Sequence, residues 1–231
     1  MPIQWVNRPN LDFRGFAGTV AAGRVKKGQR VMASPSNKAS TIKAIVTADG
    51  ERDEAFTGES ITLTLDDEID LSRGDVLTSP HSQCETADIF KSELIWMNQE
   101  HLIAGRQYIF QSAAFSAKCT LGKPDYKIDV NHYEKLPCKT LAMNEIGCST
   151  LYLDRLLSFM PYQDNKILGS YILINPLSNE TVAMGMINHS MRRAHNVFEE
   201  NMVITRDARA EIKHQKPCAI WMTGLSGAGK S

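Results

Sequence analysis

The sequence predicts a mainly β protein: two antiparallel β-barrels, then a connector, then the first strand and phosphate-binding loop of a truncated α/β domain. Three observations support this prediction. Short strand-like segments alternate with turn residues up to residue 188, the composition changes after that point, and a Gly-rich motif occupies the C-terminus. Short strands at this spacing, without long helical periods between them, are typical of small barrels.

The first predicted barrel covers residues 1–80. Residues 61–65 alternate apolar side chains with Thr, which is the period-2 pattern of a half-buried strand. Asp49-Gly50 and residues 26–29 are turn signals between strand-like segments. Because the pattern breaks at Ser79-Pro80, we place a domain boundary there.

A second antiparallel barrel is predicted over residues 83–188. Its segments are again short, apolar and bounded by turn residues. The predicted strands are residues 89–97, 107–115, 127–130 and 148–153, followed by a closing hairpin of residues 171–174 and 181–187. No common sequence repeat relates the two barrels.

Residues 189–216 form the predicted connector. Within it, residues 205–213 indicate a short helix, with Thr205 as N-cap and Asp207 in the first turn. Pro217 ends that segment, and the apolar run of residues 218–222 indicates a buried strand. Residues 217–231 are therefore the predicted start of a nucleotide-binding domain.

The chemistry-bearing motif is G-x-x-x-x-G-K-[ST], which follows that strand directly. Its glycines let backbone N–H groups approach one phosphate chain closely. Lys230 would contact the β and γ phosphates of ATP, and Ser231 would give its hydroxyl to Mg²⁺. A Gly-rich linker is the alternative, but a linker needs neither the final Lys-Ser nor the preceding apolar strand. The predicted phosphate-binding residues are Gly224, Leu225, Ser226, Gly227, Ala228, Gly229, Lys230 and Ser231.

Composition excludes several classes of protein. The 26 basic and 26 acidic side chains give no net charge, which argues against a non-specific nucleic-acid binder. No apolar stretch approaches the ~18 residues needed to span a bilayer, and the N-terminus lacks the pattern of a signal peptide. The five cysteines show no C-x-x-C spacing, which indicates free thiols. We therefore expect a cytoplasmic protein.

Weaker candidate sites have simpler explanations. His189 and His195 have a spacing that some zinc sites use, but no cysteine pair accompanies them. The acidic run at residues 66–68 with Asp70 is better explained as a solvated turn. Arg192-Arg193 could contact a nucleotide or a neighbouring domain, and a surface role is at least as good an interpretation.

Particular stretches resemble known families. Residues 13–20 and 22–28 resemble the second domain of translation-factor GTPases such as elongation factor Tu, where this domain is a β-barrel. The GTPase-type large subunit of bacterial sulfate adenylyltransferase is more similar still, through residues 45–51, 53–56, 63–65, 67–70 and 72–75. In the second predicted barrel, residues 141–147 and 171–174 resemble the same subunit.

The C-terminal part resembles adenylylsulfate kinase through residues 192–194, 196–197 and 220–231, and the order of the two matches is that of a fused enzyme. This resemblance implies that the parent protein makes adenylyl sulfate from ATP and sulfate, driven by GTP, and then phosphorylates its 3′-hydroxyl. It also implies a small catalytic partner subunit. The GTP-binding domain would lie upstream and the rest of the kinase downstream. We therefore expect a fragment without catalytic residues of its own, inactive alone and weak in ATP binding.

A second hypothesis belongs to a different class. Translation-factor-type barrels could bind RNA or a protein partner and be joined to an unrelated phosphate-loop ATPase. The zero net charge counts against RNA, and the kinase-like segment before the loop counts against an unrelated ATPase.

Overall fold

The computed structural model describes residues 1–10, 13–82 and 84–191, all of which belong to one compact unit. As predicted, the architecture is mainly β. None of the described helices is long and apolar enough to cross a membrane. The strands are β1 (Trp5–Asn7), β2 (Gly15–Thr19), β3 (Arg24–Lys26), β4 (Arg30–Ser34), β5 (Lys38–Thr47), β6 (Gly50–Arg52), β7 (Glu54–Phe56), β8 (Ser60–Leu65), β9 (Val76–Thr78), β10 (Glu85–Trp96), β11 (Gln107–Ser112), β12 (Phe115–Leu121), β13 (Tyr126–Asp129), β14 (Glu134–Leu136), β15 (Ile146–Phe159), β16 (Ser170–Ile174) and β17 (Thr181–Ser190), with one helix, α1 (Lys166–Gly169).

The first sheet has seven antiparallel strands in the order β1-β2-β8-β5-β4-β9, with β6 beside β5. Its two ends meet through a bridge between Pro2 and Val76. The Ile3 N–H donates to the Asp75 carbonyl at 2.8 Å, and the Gly74 N–H donates to the Ile3 carbonyl at 2.9 Å. These bonds close the sheet into the first barrel, beside which β3 and β7 form a separate two-stranded sheet.

The first barrel has an aliphatic core. In β8, Ile61 and Leu63 are buried while Thr62 and Thr64 are half-buried, which confirms the predicted period-2 alternation. The buried side chains of this core are Ile3, Phe16, Val20, Val31, Ala33, Ile42, Ile45, Ala55, Ile61, Leu63, Ile69, Leu71 and Leu77.

The second sheet is a closed six-stranded antiparallel barrel. Its strands follow the order β10-β17-β16-β11-β12-β15, and pairing between β10 and β15 closes the ring. The β13–β14 hairpin extends the sheet from β15. This arrangement confirms the predicted second antiparallel barrel.

Individual strand predictions are wrong at several points in this barrel. Residues 107–115 were predicted as one strand, but they form β11, a turn, and the start of β12. The turn places Ala113 at a φ of 44°, and neither Ala113 nor Ala114 gives the Gly, Pro or Asn signal that would reveal it. β10 and β15 are longer than predicted, and β14 was not predicted.

A cluster of aromatic rings lies in the core of the second barrel. Phe90 and Phe159 meet edge to face with ring centroids 4.8 Å apart, and Phe110 stacks on Tyr171 at 4.9 Å. The hydroxyls of Ser92 and Tyr171 are 2.7 Å apart, so the buried phenol has a hydrogen-bonding partner. A Cβ at Gly185 would lie 2.2 Å from that phenol oxygen, which explains why glycine occupies the position.

Candidate functional site

The predicted phosphate loop, Gly224 to Ser231, lies outside the described residues, as do the connector from residue 192 onward and the strand predicted at residues 218–222. These assignments therefore stay predictions. The described residues show two related features: the point where the chain leaves the second barrel toward that loop, and the junction that holds the two barrels together.

The exit is fixed by β17 and the residue that follows it. The Met191 N–H donates to the Ile89 carbonyl at 2.8 Å, so the chain still runs beside β10 as it leaves the barrel. The Ser190 hydroxyl donates to the Glu85 carboxylate at 2.9 Å. Backbone and side-chain bonds together thus define the position from which the connector departs.

A charged cluster lies beside this exit. The Lys91 ammonium forms an ion pair with the Asp125 carboxylate and donates to the Thr150 hydroxyl at 3.0 Å. Thr150 in turn contacts the Met191 sulfur at 3.8 Å. Because Asp125 neutralises Lys91, the cluster suits anchoring of the exit better than capture of a phosphate.

The junction between the barrels centres on α1. Asn165 caps this helix, since its side-chain oxygen accepts bonds from the N–H groups of Ile167 and Leu168 at 3.0 Å each. The Asn165 amide nitrogen also donates to the Ala21 carbonyl of the first barrel at 3.4 Å. Leu168 packs against Ala21 and Val76 beside a cavity of about 240 Å³.

Hydroxyl groups make a second set of contacts across the junction. The Ser34 hydroxyl of the first barrel lies 2.9 Å from that of Ser158 and 3.2 Å from that of Thr86. Arg73 donates to the Ala114 carbonyl at 3.3 Å. These polar bonds give the two barrels a defined orientation, and the buried Ser34–Ser158 contact contributes most because both hydroxyls are removed from water.

Cys84 lines the junction cavity, and burial raises the pKa of its thiol, so the thiol stays protonated near neutral pH. Within residues 1–10, 13–82 and 84–191, no group of three or more His, Cys, Asp or Glu side chains could hold a metal ion.

The structure describes only some of the weaker sequence candidates. Asp67 is exposed and accepts a bond from the Ser40 hydroxyl at 3.0 Å, and exposed Asp70 pairs with Arg14 at 3.6 Å. His189 is exposed on β17. His195, Arg192 and Arg193 lie outside the described residues.

Comparison with known proteins shows which proteins share this fold. Residues 89–188 match the GTP-eEF1A C-terminal domain-like family. The crystal structure of sup35 complexed with GDP superposes with a TM-score of 0.75 at 20% identity, over 83% of this chain and 47% of that chain. At that identity the likeness shows the fold alone, and it confirms the prediction of translation-factor-type barrels.

Several curated relatives are more similar to this chain in sequence than that crystal structure is. The bifunctional enzyme NodQ of Rhizobium sp. (strain N33) is 42% identical over 100% of this chain and 36% of its own length. The bifunctional enzyme CysN/CysC of Xylella fastidiosa is 42% identical over 100% of this chain and 37% of its own length. The chain is a homologue of these bifunctional enzymes. Sulfate adenylyltransferase subunit 1 of Psychromonas ingrahamii is also homologous, at 40% identity over 94% of this chain and 46% of its own length.

The chain spans less than half the length of each of these three relatives. The sequence interpretation missed the junction residues Ser34, Ser158 and Asn165. Of these, Asn165 carried a readable signal, because Asn before a short apolar segment is a common helix N-cap. Ser34 and Ser158 are 124 positions apart, so only the folded chain brings them together.

Proposed function

We propose that this chain is the two-barrel portion of a sulfate-activating enzyme in which a GTPase-type sulfate adenylyltransferase large subunit is joined to adenylylsulfate kinase. One observation carries the proposal. The same stretch of sequence is 42% identical to a CysN/CysC bifunctional enzyme and 40% identical to a sulfate adenylyltransferase subunit 1. The phosphate-loop motif at the C-terminus supplies the kinase half of the assignment.

In the proposed first step, sulfate attacks ATP to give adenylyl sulfate and pyrophosphate, and GTP hydrolysis drives this unfavourable reaction. The reaction centre for this step belongs to a GTP-binding domain and a small catalytic partner subunit, both outside this chain. The barrels contribute a rigid platform, because the junction bonds and the anchored exit fix where the connector leaves. We place the enzyme in the cytoplasm.

In the proposed second step, ATP phosphorylates the 3′-hydroxyl of adenylyl sulfate. The backbone N–H groups of residues 224–229 would surround the phosphates, and the Lys230 ammonium would neutralise charge that develops on the γ-phosphoryl oxygens. The Ser231 hydroxyl would be a ligand of Mg²⁺, which would neutralise part of the phosphate charge. Phosphoryl transfer depends chiefly on such positioning and charge neutralisation.

The test uses the complete gene product together with its small catalytic subunit. With ATP, GTP and sulfate, we expect both adenylyl sulfate and its 3′-phosphorylated product, separated by chromatography. Lys230→Ala should lower formation of the second product about 100-fold or more, because one charged phosphate contact is lost, and should leave the first product unchanged.

Lys139→Ala is the matched control, since it removes an exposed lysine of the second barrel. Both products should form at the wild-type rate in this variant. Failure of the wild-type protein to form adenylyl sulfate would refute the adenylyltransferase assignment. Undiminished phosphorylation by Lys230→Ala would refute the role given to the phosphate loop.

A further inference from the structure

Residues 2–4 connect two edges of the first sheet. On one edge, the Gln4 N–H donates to a carbonyl of β2 at 2.8 Å. On the other edge, Pro2 bridges Val76 of β9, and Ile3 makes two backbone bonds to the loop before β9. We call residues 2–4 the strap, because they hold the first barrel closed.

The strap is held by close packing as well as by backbone bonds. The Ile3 side chain is fully buried in the core of the first barrel. A Cβ at Gly18 would lie 2.2 Å from the Pro2 carbonyl oxygen, so glycine at this position lets the strap lie close to β2. The strap therefore has a defined position, which depends on contacts at both edges.

A loop at the β9 edge is bonded to the strap. The Ile3 N–H donates to the Asp75 carbonyl at 2.8 Å, and the Ile3 carbonyl accepts from the Gly74 N–H at 2.9 Å. The loop is a tight turn with bonds of its own. The Asp75 N–H donates to the Ser72 carbonyl at 3.1 Å, and the Ser72 N–H donates to the Asp75 carboxylate at 2.8 Å. We call residues 72–76 the relay segment.

The other side of the relay segment contacts the second barrel. Gly74 is buried, and a Cβ there would lie 3.3 Å from Phe115, the first residue of β12. The Arg73 side chain donates at 3.3 Å to the carbonyl of the residue before Phe115. Val76, the bridge partner of the strap, packs against Leu168 of α1. The relay segment thus lies between the strap and two elements of the second barrel.

The turn that the relay segment contacts has little conformational freedom. It joins β11 to β12 through residues 113 and 114, and Ala113 has a φ of 44°. A residue other than glycine rarely adopts this conformation. Beyond the turn, the Phe115 ring meets the Phe110 ring edge to face with centroids 6.3 Å apart. A displacement of the relay segment would therefore reach the turn and a ring of the second core.

We propose that the relay segment couples the strap to the second barrel. Loosening of the strap then also loosens the β11–β12 turn, while the rest of the second barrel stays folded. The relay segment is bonded to the strap on one side and packed against the turn on the other. Because close-packed protein contacts have low compressibility, a shift on one side is transmitted to the other.

The coupling has a consequence for the enzyme proposed above, and this consequence rests on that proposed function. There the GTP-binding domain would precede the strap, whereas the connector toward the predicted phosphate loop leaves the second barrel. The relay segment would give the GTP-binding domain a mechanical connection to the barrel from which the connector departs. The coupling itself depends on contacts within the two barrels.

The test is hydrogen exchange of the complete gene product, measured by mass spectrometry. Ile3→Ala should loosen the strap and speed exchange in residues 113–115 at least ~2-fold, the lower end of coupling through packed side chains. Exchange in β10 and β15 should stay unchanged. The measurement uses neither nucleotide nor partner subunit, so its result does not depend on whether the proposed function holds.

Ile45→Ala is the matched control. Ile3 and Ile45 are both fully buried isoleucines of the first core, but Ile45 lies in β5 and pairs with β6 and β8. This variant should leave exchange in residues 113–115 unchanged. If either alanine variant fails to fold, Ile3→Val and Ile45→Val make the same comparison with a smaller deletion.

Arg73→Ala tests the route of the coupling, because it removes one contact between the relay segment and the turn. In a double-mutant cycle, the effect of Ile3→Ala on residues 113–115 should be smaller when Arg73 is replaced. Arg52→Ala is the control for this step, since Arg52 is an exposed arginine that forms ion pairs within the first barrel. It should leave the effect of Ile3→Ala at full size.

Four results would overturn the proposal. Unchanged exchange in residues 113–115 after Ile3→Ala would show that the strap and the second barrel are not coupled. An equal increase after Ile45→Ala would assign the effect to general weakening of the first barrel. An increase that extends over β10 and β15 would show that the barrels unfold as one unit. An effect of Ile3→Ala that Arg73→Ala leaves undiminished would place the coupling outside the relay segment.

Discussion

The first barrel is filled almost entirely by aliphatic side chains, whereas the core of the second combines aliphatic side chains with a cluster of aromatic rings. Phe16 is the one aromatic residue among the buried side chains of the described first core. The second core contains Phe90, Trp96, Tyr108, Phe110, Phe159 and Tyr171. Because aromatic rings bury large areas and have preferred contact geometries, specific ring contacts contribute to the packing of the second barrel more than to that of the first.

The two barrels also differ in how their sheets close. The first barrel closes through a bridge at Pro2 and a few backbone bonds to residues 74–77. The second closes through the long β10–β15 ladder. We infer that the second barrel is the more stable unit, and that the junction fixes the orientation of the two barrels without making them unfold together.

The largest expected effect tests this difference in the aromatic core. Phe110→Ala should destabilise the second barrel by about 3–5 kcal/mol, because it deletes a fully buried ring stacked on Tyr171. Hydrogen exchange measured by mass spectrometry should show faster exchange in β10 and β15. Exchange in β5 and β8 of the first barrel should stay nearly unchanged.

Ile42→Val is the comparison variant in the first barrel. This smaller deletion should lower stability by about 0.5–1.5 kcal/mol. It should speed hydrogen exchange in β5 and β8. Equal acceleration in both barrels after Phe110→Ala would show that they unfold as one cooperative unit. The distinction drawn between the barrels would then be wrong.

An intermediate effect is expected at the junction. Ser34→Ala removes a buried hydroxyl that contacts Ser158 and Thr86, and it should cost about 1–2 kcal/mol. Ser60→Ala is the control, since the Ser60 hydroxyl contacts that of Thr19 at 3.2 Å but is exposed and lies within one barrel. Chemical denaturation should place the control within about 0.5 kcal/mol of wild type. If Ser60→Ala lost as much stability as Ser34→Ala, the buried junction contact would contribute no more than an exposed one.

The smallest effect concerns pH. A hydrogen bond from Lys127, followed by one from the Ala142 N–H, holds the pKa of Glu145 below its usual value. A lowered carboxyl pKa stabilises the fold above the unfolded pKa of about 4.3, and this stabilisation is lost as pH falls through the folded pKa. Acid unfolding of Glu145→Gln should therefore show a shallower loss of stability below about pH 4.

For this pH prediction, the matched control is Glu51→Gln, at an exposed carboxylate of the first barrel. Its acid unfolding curve should follow that of the wild-type protein. An unchanged acid slope in Glu145→Gln would show that the Lys127–Glu145 pair, which is partly exposed, contributes nothing to stability.

Local sequence patterns predicted much of this fold for identifiable reasons. The alternation in β8 shows which side chains are buried, because burial on one face of a strand imposes period 2. The turn at Ala113 escaped prediction, because its backbone conformation is imposed by the strands on either side rather than by its residue type. The phosphate loop stays a prediction from spacing alone, made because close backbone approach to phosphate requires glycine at fixed positions.

The sequence by itself determined the β class and the similarity to NodQ and CysN/CysC bifunctional enzymes, because both depend on residue types along the chain. Only the tertiary structure decided how strands pair. That pairing brings Ser34 to Ser158 across the junction and Ile3 to Asp75 where the first barrel closes. These residues are distant in sequence, and their proximity follows from strand register, which a short-range pattern does not encode.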